Sequence, residues 1–177
     1  GATAQLNAGT SGTPLPTNVS FIINLNGAHS IDLTNLQANL YGAAPAIPRV
    51  YLTAPASIGA TVLSVGTDVT GDIWATTNRV NVERWAVAGR NVQSTTIAGI
   101  TSTTITLAAG LTVAKVTGDS IVLTHRNIRI TGGTGTGVLN GYGSVLSGVE
   151  LTNNNYGIHY SSNTLTSCTI TKHTRPR

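Results

Sequence analysis

The chain has 177 residues, a formal charge of +4 and a pI near 9.6, with 9% charged and 40% hydrophobic residues. That apolar fraction is enough for a folded core and argues against general disorder, while the shortage of charge, against roughly 25% in ordinary globular proteins, leaves a surface of hydroxyls and amides. The basic residues are scattered, with no Lys/Arg cluster and no interleaved aromatic platform, so nucleic acid is not expected as a partner.

No run approaches the ~18 apolar residues of a membrane helix, and no charged segment precedes an apolar one at the start. Neither membrane insertion nor a signal peptide is expected. A start at Gly1 with no Met anywhere leads us to expect an excised or processed piece of a longer chain. Cys168 stands alone, so no internal disulfide can form, and between Ser167 and Thr169 it reads as a small buried apolar side chain.

In chain order, residues 1–17 hold no charge, and NAGTSGTPLPT is rich in turn formers, which predicts an extended arm or linker ordered against a partner. Residues 18–50 open with the apolar run NVSFIINLNG, a strand closed by Asn-Gly. The stretch DLTNLQANLYGA then spaces Leu33, Leu36 and Leu40 as on one helical face, with Asp32 as N-cap. A short helix and a strand with a turn fit it equally well.

Residues 51–124 predict a β module. RVYLT, ATVLSV, RVNVERWAV, STTIAGI, TTITLAA and DSIVLT are short strands separated by Gly, Asn, Ser and Pro. TTITL alternates strictly, Ile105 and Leu107 on one face and Thr104 and Thr106 on the other.

Residues 125–177 carry an internal repeat. NIRITGG, GVELTNN and SCTITKH align, placing Ile128/Ile130, Val149/Leu151 and Cys168/Ile170 inward, with intervals of 21 and 19 residues. GVLN and GIHY form a second, staggered set 20 residues apart at Val138 and Ile158. Staggered short strands recurring at this period describe coils of a parallel β-solenoid. Asn153, Asn154 and Asn155 then suit a corner, since Asn accepts left-handed geometry and its amide can ladder between coils. A hairpin meander is the competing arrangement, but it does not call for a fixed period. The coils are incomplete, and the end at TKHTRPR would leave strand edges open unless more chain or a partner covers them.

Residues 126–173 resemble the right-handed parallel β-helices of phage tailspikes, tail fibres and polysaccharide-active surface proteins. The segment LTAPASIGATVLSVGTDVTGDIWA, with STTIAGITSTTITLAAGLTVAKVTGDSIVL after it, resembles a small β module of phage tail and bacterial surface proteins. PTNVSFIINLNG is similar to segments that start such helices. The insertion TTNRVNVERWAVAGRNVQ is longer and more polar than that module usually carries. Together the resemblance implies an all-β fold, a small β module leading into a right-handed parallel β-helix, in a homotrimeric virion appendage. It also implies other virion proteins as neighbours, cell-surface polysaccharide as a contact, and a location on the tail or cell surface.

Chemistry has little support in the residues. The acids are Asp32, Asp68, Asp72, Glu83, Asp119 and Glu150, and no two share a motif that would hold them at glycosidase spacing. Asp68, Asp72 and Asp119 read as turn residues, and Glu83 and Glu150 as surface partners of Arg84 and Arg129. His29, His125, His159 and His173 lack paired ligand spacing, so no metal and no cofactor are expected. Trp74, Trp85, Tyr156 and Tyr160 are the candidates for stacking on sugar rings, against the alternative that the tryptophans fill the module's core. The expected role is a rigid structural mount or spacer without catalysis. The alternatives are a polysaccharide lyase or glycoside hydrolase, and an adhesin or ice-binding surface, which would need regular outward Thr ranks.

Overall fold

The computed structural model describes residues 4–27, 31–32, 36–86, 89–133, 136–139, 142–152, 156–159 and 162–171. Regular structure among them is entirely β, and no helix among them is long and apolar enough to cross a membrane. The chain forms two compact units, Gly1–Ala44 with Arg126–Arg177, and Pro45–His125.

The first unit begins with β1 (Ala4–Ala8), β2 (Phe21–Gly27), β3 (Ile31–Asp32) and β4 (Leu36–Tyr41). The second unit follows as β5 (Arg49–Tyr51), β6 (Val62–Ser64), β7 (Arg79–Ala86), β8 (Gly89–Ile100), β9 (Thr104–Leu107) and β10 (Ser120–Leu123). The chain then re-enters the first unit with β11 (Ile128–Gly133), β12 (Thr136–Leu139), β13 (Tyr142–Ser147), β14 (Val149–Thr152), β15 (Tyr156–His159), β16 (Ser162–Thr166) and β17 (Thr169–Thr171).

Three parallel sheets make up the first unit, in the orders β1-β4-β13-β16, β17-β14-β11-β2 and β15-β12-β3. A parallel neighbour can pair only after the chain has travelled back to the starting end. Here it does so through the other two sheets, so each pass gives one strand to each sheet. The register sets Ile128 opposite Val149 and Ile130 opposite Leu151, Val138 opposite Ile158, and Leu151 opposite Ile170. β2 extends the same column, with Phe21 opposite Ile128 and Ile23 opposite Ile130. The core is Leu25, Ala38, Leu40, Ile128, Ile130, Leu146, Val149 and Leu151, with Leu6, Leu15, Phe21, Ile23 and Cys168 packed against it.

One expectation is corrected here, and one open alternative is decided. Within the expected arm of residues 1–17, the described residues 4–17 are not free: β1 runs parallel to β4 with Leu6 opposite Ala38, and the Leu15 N–H donates to the Tyr41 carbonyl at 2.7 Å. Leu6, Ala8 and Leu15 bury apolar surface on the core, which supplies the ordering that a polar composition alone would not. Of the two arrangements open for the segment after Asp32, the described residues take the strand. Residues 36–41 are β4, where Ala38 and Leu40 are buried and Gln37 and Asn39 half-buried. Pairing with β1 on one side and β13 on the other satisfies its backbone, and tertiary pairing overrides the helical spacing of the leucines. Leu33 lies outside the described residues.

A tight corner joins β13 to β14. Gly148 sits there at φ +60°, and a Cβ on it would run into the Gly42 carbonyl oxygen, while a Cβ on Gly42 would meet the Gly148 carbonyl oxygen. Only glycine at both positions lets the two backbones approach. Buried Asn127 braces the same corner. Its amide donates to the Leu15, Pro16 and Val19 carbonyls at 2.9, 2.9 and 3.1 Å, and its oxygen accepts the Ala43 N–H at 2.9 Å.

The second unit is one antiparallel sheet in the order β5-β10-β7-β8-β9-β6. Its two outer strands meet through a Leu52–Val65 bridge and through N–H donation from Thr53 to Ser64 at 3.1 Å and from Gly66 to Tyr51 at 3.4 Å. The sheet therefore curls into a closed barrel, which removes its free edges. β8 turns the corner, pairing first with β7 and then with β9 across a register shift between Ile97 and Gly99, as bulges do where sheets bend. Val50, Leu52, Leu63, Val65, Val80, Val82, Ile97, Ile105, Leu107, Ile121 and Leu123 are among the residues that fill the interior.

Candidate functional site

Of the aromatic residues proposed to stack on sugar, Trp74 is corrected. It is 4% exposed, and its indole N–H donates to the Ile47 carbonyl at 2.7 Å. The ring packs in the barrel core and offers no face to a ligand. Trp85 lies on β7 opposite Arg90 and Tyr156 on β15 opposite Thr136. Their side chains, like Tyr160 and Asn153, Asn154 and Asn155, lie outside the described residues. Among the described residues Tyr51, on β5, is an exposed aromatic that the sequence did not single out, with 55% of its surface open.

The carboxylates are held by local structure. Asp68 accepts the Thr70 N–H at 2.9 Å and the Thr70 hydroxyl at 2.7 Å, and these hydrogen bonds, the backbone one foremost, hold its carboxyl below the ordinary 3.8. Asp72 caps three backbone amides, those of Ala46 at 3.2 Å, Ile47 at 2.7 Å and Ile73 at 2.7 Å. Asp119 accepts the Val116 N–H at 2.8 Å and lies 3.9 Å from Arg84 Nε. Glu83 faces Arg49 Nη2 at 3.6 Å. The side chain of Asp32 lies outside the described residues.

The expected surface pair of Arg129 and Glu150 is a second correction. The two stand opposite each other in the β11–β14 register, but Glu150 is fully buried and β14 is buried along its whole length. Glu150 Oε2 accepts the Arg126 N–H at 3.3 Å, and Arg126 Nε donates to the Ser167 carbonyl at 3.1 Å. A carboxylate withdrawn from water needs such donors, so Glu150 is an internal side chain and not half of a solvated surface pair, while Arg129 beside it is half-buried.

A threonine column also forms, Thr131 opposite Thr152 and Thr152 opposite Thr171. Thr152 is 3% exposed, so the column is not a flat outward rank. The Cys168 thiol is half-buried and donates to the Leu146 carbonyl at 3.1 Å. Among the described residues no three His, Cys, Asp or Glu side chains gather as metal ligands.

Lys115 is the polar residue that sequence reasoning missed. It is 1% exposed, and its Nζ donates to Asn91 Oδ1 at 2.8 Å and to the Val82 carbonyl at 3.4 Å. Removal from water pushes its ammonium below the ordinary 10.5, against the pull of Asp119.

No protein-family model and no curated protein matches the chain. Among solved structures it is similar to the tailspike protein gp49 of Pseudomonas phage LKA1, with a TM-score of 0.41 and 14% identity over 92% of this chain and 31% of that one. Tailspike gp61 of Pseudomonas phage phi297 gives 0.39 and 11% over 92% of this chain and 39% of that one. The Gp54 tailspike of Acinetobacter baumannii bacteriophage AP22, solved with capsular saccharide, gives 0.40 and 9% over 88% of this chain and 31% of that one. The chain thus spans between 31% and 39% of the length of those tailspike chains.

Proposed function

We propose that the chain is a non-enzymatic structural segment of a phage tail appendage, a tailspike or tail fibre, serving as a rigid mount or spacer. In this reading the first unit is the start of a right-handed parallel β-helix, and the barrel is a module inserted between its first and second coils. The segment works as a homotrimer beside other virion proteins and contacts cell-surface polysaccharide. One observation carries the proposal: successive passes of chain add parallel strands to the same three sheets in register, from Ala4 to Thr171.

Such stacking places backbone hydrogen bonds between layers, so an axial pull loads many of them together, while the side-chain core keeps the sheets from sliding. The engagement of Asp68, Asp72, Glu83, Asp119 and Glu150 in local contacts favours this role over polysaccharide cleavage. The buried middle of the threonine column likewise weighs against an ice-binding face. Light scattering joined to a glycan array tests the proposal. A trimer supports it, with or without weak glycan contacts, whereas a monomer that binds glycan tightly or degrades it would overturn it.

A further inference from the structure

Lys115 sits in the segment leading into β10, with its backbone locked to Ala56. The Ala56 N–H donates to the Lys115 carbonyl at 3.0 Å and the Lys115 N–H to the Ala56 carbonyl at 2.8 Å. Its side chain is buried, and Nζ reaches the side-chain oxygen of Asn91 at 2.8 Å. Asn91 is on β8, opposite Arg84 of β7. Asp119, whose charge acts on the Lys115 amine, is held by the Val116 N–H at 2.8 Å and lies 3.9 Å from Nε of Arg84, the residue opposite Asn91, while Arg84 Nη1 donates to the Ala114 carbonyl at 3.2 Å.

An apolar side chain of similar length would fill this position without the cost of burying an ammonium. The amine meets the Asn91 carboxamide oxygen directly, at 2.8 Å, with the Val82 carbonyl farther off at 3.4 Å, while the strongest charge acting on it is Asp119. Desolvation favours the neutral amine, which is the nucleophilic form of lysine.

We infer that Lys115 and Asn91 form an intramolecular isopeptide bond, assisted by Asp119. The Nζ lone pair attacks Asn91 Cγ, the carbon bonded to the oxygen it already touches. Asp119 takes a proton from Nζ and passes it to the departing side-chain nitrogen, which leaves as ammonia. One carbon–nitrogen bond forms and one breaks, nothing is oxidised or reduced, and no co-reactant is needed. Burial of Lys115 limits the water that would otherwise hydrolyse the Asn91 amide. The product ties β8 covalently to the segment before β10, giving the barrel a staple that a chain with a single cysteine cannot obtain from a disulfide. This inference stands on the barrel alone and is independent of the appendage role.

Intact-mass spectrometry of the purified 177-residue chain tests it. The expected mass is the sequence mass less one ammonia, and trypsin should fail to cut after Lys115, leaving residues 91–126 as one peptide with an internal ring. Lys115→Met and Asn91→Ala should each restore the full sequence mass, and Asp119→Asn should restore it at least in part. The full sequence mass in the unaltered protein, persisting after incubation at alkaline pH, overturns the inference. A chain still lighter by ammonia after Lys115→Met does so too, since the loss then arises elsewhere. An unchanged light mass in Asp119→Asn removes Asp119 from the reaction.

Discussion

The two units solve the same problem, the hydrogen-bonding edge of a β-sheet, in opposite ways. The barrel joins its edges through Leu52 and Val65 and is a closed object. Among the described residues the parallel unit instead ends on the strands β1, β2 and β3 on one side and β15, β16 and β17 on the other. An unpaired edge is a template for further strands, a liability that the barrel's closure removes. The polar interiors differ in the same sense. The barrel places Lys115 beside Asn91, while the stack places Glu150 in a column with Arg129 and Thr169.

The sharpest way to break this contrast is at the corner of the stack. Gly148→Val forces a side chain into the Gly42 backbone at a positive φ, and should cost about 4 kcal/mol or more from strain and overpacking together. Hydrogen exchange should then report lost protection in β11, β13 and β14 and retained protection in β7 and β10. The converse cut is Ile121→Ala, which empties a fully buried site in the barrel and should cost about 3 kcal/mol. Under urea the protection pattern should invert, barrel strands opening first.

A smaller effect is expected at Asn127, whose amide spans three carbonyls and one N–H of the first unit. Asn127→Ala should destabilise by about 2 kcal/mol, read as a lower urea midpoint, with early exchange around Leu15 and Gly42. The smallest is a pH effect confined to the barrel. Asp68 titrates below its ordinary 3.8 when folded, so its contribution is complete above that value and is lost as the pH falls through the folded pKa. Barrel stability should show a shallow acid decline that Asp68→Asn flattens.

How much of this was legible follows from what each residue pattern encodes. The recurrence of NIRIT and GVELT is a local property, and the backbone sets Ile128 opposite Val149. The same column continues to Phe21, but the whole barrel intervenes in sequence, so no period connects the two. β4 was ambiguous because Leu33, Leu36 and Leu40 mimic helical spacing, while the deciding factor was the pair of neighbouring strands. The barrel's curl depends on the Leu52–Val65 closure, a contact no local pattern announces.

The polar interior was hidden for a related reason. In TVAKV, Val113 and Val116 are exposed at 37% and 42% while Lys115 is buried, the inverse of what hydropathy suggests. Glu150 had the signature of a surface residue in an alternating strand, yet it is enclosed. Trp74 carried two readings, and the Ile47 carbonyl that takes its indole proton decided for the core. In each case the determining partner is distant in sequence.

The central claim is that passes of the chain that precede and follow residues 45–125 in sequence pair in parallel register within the first unit. Backbone NMR contacts between Ile22 and Arg129 test it most directly, with those between Arg129 and Glu150 read in the same spectrum. The account predicts both sets, with the pattern of parallel neighbours. Antiparallel contacts linking Ile22 to residues near it in sequence, without any to Arg129, would contradict it.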